Sequence, residues 1–164
     1  MGGRTDRLGA PAEHFSWPVR VYWEDTDAGG IVFYANYLKF FERARTEWLR
    51  GIAPSQHAMR EAGLGLFVVS EASMRFISPA RLDDELRITV RLSQLGRASL
   101  TVAQQAWCGE RLLAQGDVRI GWVQLEADGG LKPSRLPAQV LTCLPPPRND
   151  AQSGQSASRV VQET

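Results

Sequence analysis

The sequence predicts an α+β domain, an antiparallel sheet of about five or six strands with one long helix laid across it. Three observations predict it. A single stretch, Asn36 to Arg50, carries helical period; four later stretches read as strands; and short Gly-containing turns separate several of them. One helix early and hairpin strands later is the order in which a helix packs on an antiparallel sheet. A length of 164 residues gives room for one such domain.

Residues 1–15 mix Gly, Pro and charge without period and read as a flexible N-terminal arm. The domain is expected over residues 16–144. Pro145-Pro146-Pro147 then opens a polar, Ser/Gln-rich stretch, 145–164, that reads as a disordered C-terminal tail. Inside the domain, Val19, Val21 and Trp23 alternate with Arg20 and Tyr22 as a short strand. Glu24 to Gly30 is turn chemistry. On a helical wheel Tyr37, Phe41, Ala44 and Trp48 form one stripe, widened by Leu38, Phe40 and Leu49. Asn36 reads as the N-cap and Gly51 as the C′ residue. So broad an apolar face predicts an enclosed helix. Arg45 falls inside the stripe, which predicts an ion pair with Glu42 or Glu47.

After a short helical or loop segment, Ser55 to Ala62, the strand candidates are Leu66–Phe76, Glu85–Leu95, Ser99–Trp107 and Leu112–Val123. In the second, Leu86, Ile88, Val90 and Leu92 share one face and Arg87, Thr89 and Arg91 the other. Leu95-Gly96-Arg97-Ala98 and Cys108-Gly109-Glu110-Arg111 read as hairpin turns, and Asp128-Gly129-Gly130 begins a further return. Trp107 and Trp122 read as core or interface residues and His57 as a surface or packing residue.

Composition excludes several functions. Apolar residues at 43% and charged residues at 23% are ordinary for a globular chain. Lys+Arg 19 against Asp+Glu 18 gives a net charge of +1, so no global field recruits nucleic acid or an anionic membrane. No run of 18 apolar residues predicts a spanning helix, and the N-terminus lacks a signal-peptide core. Cys108 and Cys143 are too few for a disulfide framework, so a cytoplasmic setting is expected. His14 and His57 make a metal centre or a triad hard to assemble, and no metal is expected. Gly-x-Ser-x-Gly and phosphate-loop motifs are missing.

The loop from Glu24 to Asn36 carries chemistry. Acidic and hydroxyl side chains precede two glycines and then the apolar helix. Unpaired amides and partial positive charge at a helix start accept an anion, so a carboxylate and an acyl oxygen meet there. Turn-forming and capping roles for Asp25, Thr26 and Asp27 explain the same residues.

The stretch VRVYWEDTDAGGIVFYANYLKFFERARTEWLR (residues 19–50) resembles the signature of hotdog-fold acyl-CoA thioesterases of the 4-hydroxybenzoyl-CoA thioesterase group. Within that group it is most similar to the Tol–Pal-associated, YbgC-like branch, as are SPARLDDEL (78–86) and LKPSRLP (131–137). The resemblance implies a curved sheet wrapped around one long central helix, in homodimers or homotetramers with the active site between subunits. It implies hydrolysis of an acyl-CoA, or of an acyl carrier protein thioester, with no cofactor beyond the coenzyme A of the substrate. Asp27 is then the catalytic carboxylate, acting as nucleophile or through water, and the backbone amide of Tyr34 polarises the thioester oxygen. The branch commonly carries His where Tyr34 stands; the hydroxybenzoyl type carries Tyr there, which implies chemistry by Asp27 and an amide, with the Tyr34 ring packed. Arg97, on a turn that resembles a phosphate-contacting turn, is the first candidate for the coenzyme A phosphates, with Lys132 and Arg135 behind it. Two other readings stand: an acyl-pantetheine-binding partner of acyl carrier protein or lipid-synthesis enzymes, and a hotdog dehydratase, which needs a His paired with an acid.

Overall fold

The computed structural model describes residues 15–148. The expected arm, except Phe15, and the tail from residue 149 lie outside the described residues. The elements are β1 (Phe15–Arg20), α1 (Asn36–Ile52), α2 (Gln56–Glu61), β2 (Leu66–Phe76), β3 (Glu85–Leu95), β4 (Ser99–Cys108), β5 (Arg111–Leu125), β6 (Leu131–Pro133) and α3 (Ala138–Leu141). The sheet is antiparallel in the order β1-β3-β4-β5-β2, with β6 added on β5. Among the described residues, nothing pairs with the outer edge of β2.

This is the expected sheet with one long helix on it, and it is the hotdog arrangement. Leu86, Ile88, Val90 and Leu92 of β3 are buried, as are Leu100, Val102 and Ala106 of β4 and Val118, Ile120 and Trp122 of β5. Against them α1 buries Tyr37, Phe40, Phe41, Ala44, Trp48 and Leu49. Each fully buried Phe or Leu contributes about 1.5–3 kcal/mol. Packing therefore outweighs local propensity in holding α1. Register shifts at Val69/Glu71, Leu92/Gln94 and Ala106/Trp107 interrupt the ladders, the device by which strands bend and increase their twist.

Among the described residues the buried side-chain polar atoms are paired except the Trp122 Nε1. Arg45 is buried and donates to Gln104 Oε1 (2.8 Å) and to the Glu42 carboxylate. Gln104 in turn donates to the carbonyl of Phe41 (3.1 Å). Burial pushes the Arg45 guanidinium below its ordinary pKa, and Glu42 pulls it back up. The Tyr37 hydroxyl accepts the Ala80 amide (3.1 Å), while burial raises its pKa above the ordinary phenol value.

The structure corrects several boundaries. The first strand ends at Arg20, and Trp23–Asp25 forms a 3₁₀ turn instead of continuing the alternation. The cause is Asp25, whose buried carboxylate accepts the Tyr22 amide (2.8 Å) and turns the chain out of the ladder. Trp23, expected on the inward face, is 79% exposed. Gly51 lies inside α1, which runs to Ile52 before Ala53 turns extended. Ile52 packs on the core, which offsets the roughly 1 kcal/mol that a helical glycine costs. Leu38 is exposed, although the wheel widened the apolar stripe to include it. Its side chain flanks the stripe, beyond the face that meets the sheet. The four residues of α3 are too few to show a period.

Gly116 carries the closest approach in the sheet. A Cβ there would stand 2.1 Å from the Ser73 carbonyl oxygen and 2.7 Å from Met74 Sδ. Gly→Ala in a strand ordinarily stabilises by roughly 0.5–1 kcal/mol. Here the backbone of β2 must move, so Gly116→Ala is expected to destabilise by about 1–3 kcal/mol in urea unfolding.

Candidate functional site

The site begins with a tight hairpin. The Asp27 amide donates to the Ile31 carbonyl (2.9 Å), and the Gly30 amide donates to the Asp27 carbonyl (3.0 Å). Gly30 has φ +73°, a conformation that disfavours any side chain. Asp27 Oδ1 accepts the Gly29 amide (2.8 Å), an Asx turn that orients the carboxylate. The side chain is exposed, and Oδ2 has no partner among the described residues. Bridges Thr26↔Val32 and Ile31↔Arg81 anchor the hairpin to the segment entering β3.

The chain then enters α1 through a tightened turn. Asn36, Tyr37 and Leu38 donate to the carbonyls of Phe33 (2.9 Å), Tyr34 (3.3 Å) and Ala35 (3.2 Å). The N–H groups of Tyr34 and Ala35 have no acceptor among the described residues. No side chain caps the helix, and the N-cap position is Ala35. The expected N-cap, Asn36, is instead the first helical residue, buried, with its side chain reaching back to the carbonyl of Asp25 (2.8 Å). The Asp25 carbonyl draws the Asn36 side chain back from the helix, and Ala35 at the N-cap has no side-chain oxygen to offer. The uncapped amides and the helix dipole leave a positive, open helix start beside the Asp27 hairpin.

Aromatic side chains surround that start. The Tyr34 ring, 64% exposed, contacts Phe33 (centroids 4.7 Å apart) and meets Phe76 edge-on at 6.1 Å. Tyr37 reaches the same Phe76 at 5.6 Å. The expected packing of the Tyr34 ring is thus against two half-exposed rings and not in the core. Phe76, from the end of β2, has no local sequence signal that assigns it here. Asn36 and Asp25 were readable only as cap and turn, because their partners are set by how the loop closes.

The basic candidates lie elsewhere. Arg97 sits exposed in the β3–β4 turn, and its carbonyl accepts the Leu136 amide (2.9 Å), which brings Arg135 beside it. Lys132, on β6, stands 4.0 Å from Glu126. The Asp27 hairpin adjoins the start of β3, whereas Arg97 follows its end. Eleven strand residues separate them by on the order of 30 Å. A single subunit therefore does not bring Arg97 or Arg135 to Asp27. His57 lies exposed on α2, and His14 lies outside the described residues. Trp122 is buried against Phe67, and Trp107 is half-buried beneath the Arg87 guanidinium. Among the described residues no helix is long and apolar enough to cross a membrane.

Comparison with known proteins shows the family. A family model described as Thioesterase superfamily matches residues 29–115. The acyl-CoA thioesterase YbgC of Haemophilus influenzae is 40% identical over 126 residues, covering 77% of this chain and 90% of that protein. The acyl-CoA thioester hydrolase YbgC of Escherichia coli O157:H7 is 41% identical over 128 residues, covering 77% and 92%. A probable thioesterase from Bartonella henselae has a similar crystal structure, with TM-score 0.65 and 35% identity over 76% of this chain and 98% of that one. Sequence and fold agree: the chain belongs to the thioesterase superfamily and is a hydrolase.

Proposed function

We propose that the protein hydrolyses acyl-CoA thioesters, with Asp27 as the catalytic carboxylate and the Tyr34 amide as a donor to the thioester oxygen. One observation carries this reading: an exposed carboxylate with a free oxygen stands on a hairpin beside a helix start whose first amides are uncapped. Charge that develops on the carbonyl oxygen is stabilised by such prearranged donors, each worth roughly 2.7–4 kcal/mol in the transition state. Asp27 either attacks the carbonyl carbon, expelling the thiol through an anhydride that water opens, or takes a proton from the attacking water. Both routes consume one water and release acid and thiol. The YbgC relatives are named for acyl-CoA, which supports that substrate here. An acyl carrier protein arm offers the same pantetheine thioester.

The reading includes a second subunit. The open edge of β2 and the exposed rings of Phe33, Tyr34 and Phe76 favour a homodimer across this face, itself able to pair into a tetramer. In such an assembly Arg97 and Arg135 of a second copy are the candidates for the coenzyme A phosphates, with Lys132 as a weaker one. No cofactor beyond the substrate is required.

The test exploits the backbone. Tyr34→Phe keeps ring and amide, and kcat is expected to stay within about twofold of the wild type. Tyr34→Pro removes an N–H that lies one residue before the N-cap and makes no internal hydrogen bond, and kcat is expected to fall by about a hundredfold or more. Tyr34→Ala, which keeps the amide and loses the ring, is the control. Equal rates for the Pro and Ala variants would overturn the amide assignment. A panel of acyl-CoAs that binds without turnover would favour the acyl-pantetheine-binding reading instead.

A further inference from the structure

The residue thought to cap α1 does something else. Asn36 is 7% exposed, and its side-chain amide donates to the carbonyl of Asp25 at 2.8 Å. The same carbonyl accepts the Phe33 amide at 2.9 Å. Asp25 lies two residues before Asp27, and Phe33 immediately precedes Tyr34. One oxygen is thus the junction of the hairpin that carries the carboxylate and the turn that carries the open amides. The Asp25 carboxylate is engaged separately, on the Tyr22 amide, and fixes the preceding turn.

We propose that Asn36 is a positioning residue, whose side chain pins the Asp25 carbonyl to the start of α1 and so sets the separation between the Asp27 carboxylate and the Tyr34 and Ala35 amides. This rests on the reading of Asp27 and Tyr34 given above. The Phe33 amide already attaches the loop, so the second donor serves placement more than folding. Reactive groups displaced by about 1 Å can lose a hundredfold in rate, so the effect falls on turnover.

The experiment compares wild type, Asn36→Ala, Asn36→Ser and Asp27→Asn on one acyl-CoA and on the same acyl group carried by N-acetylcysteamine, a truncated pantetheine thiol without phosphates. Asn36→Ala is expected to lower kcat roughly ten- to hundredfold on both substrates, with KM changed less than about threefold and the circular dichroism spectrum retained. Asn36→Ser, which leaves room for a bridging water, reports the same split if the Ala variant does not fold. A kcat within about threefold of wild type in the folded Asn36 variants, with Asp27→Asn inactive, overturns the positioning role alone. A rise in KM that matches the loss in kcat/KM overturns it too, because a misplaced reacting group acts on kcat. Full turnover in Asp27→Asn overturns the carboxylate assignment, and this proposal with it.

Discussion

Asp27→Asn is expected to lose at least about a hundredfold in kcat on acyl-CoA, a barrier increase of about 2.7 kcal/mol, while its thermal midpoint stays within about 2 °C of wild type. The two halves of this result have separate origins. Asn keeps an oxygen where Oδ1 accepts the Gly29 amide, so the Asx turn survives. The side chain is exposed and contributes nothing to the core. What disappears is the charge on the free oxygen, which both routes to hydrolysis require. Steady-state thiol release and a melting curve on the same preparation check both halves. Undiminished thiol release would remove Asp27 from the mechanism.

The second large effect belongs to the core. Arg45→Ala is expected to destabilise by about 2–4 kcal/mol, through lost packing and a stranded Gln104 Oε1. Gln104 is 1% exposed, so water does not replace the missing donor. Glu42 is half-exposed and simply rehydrates. The double change Arg45→Met with Gln104→Met replaces both polar partners with apolar volume and is expected to recover most of the loss. Chemical denaturation of the single and double variants measures this. If the double variant is no more stable than Arg45→Ala, the cost does not come from an unsatisfied polar group.

Much of this architecture was legible because it depends on period. The inward series Leu86, Ile88, Val90, Leu92 and the stripe Tyr37, Phe41, Ala44, Trp48 fall where burial puts them. Arg45 inside that stripe pointed to an ion pair, and Glu42 supplies it. The boundaries that failed around the site loop depended on single bonds between a side chain and the backbone. The Asp25 carboxylate ended the first strand early, and the Asp25 carbonyl drew Asn36 away from capping. Neither bond has a periodic signature. The Asp27 hairpin was readable from its glycines, since Gly30 occupies the left-handed region. Phe76 could not be assigned to the Tyr34 ring, because only the return of β2 toward α1 brings it there.

The uncovered edge of β2 has a consequence for how copies of this chain would meet. Glu71, Ser73 and Arg75 alternate along the strand, all exposed, with the two charges placed symmetrically about the serine. When such a strand lies antiparallel against its own copy with Ser73 at the twofold axis, each Glu71 comes opposite an Arg75, twice over. A one-residue slip breaks both pairs and turns every side chain to the wrong face. Such a union would be isologous, with the β2 edge of each copy taken up by the other.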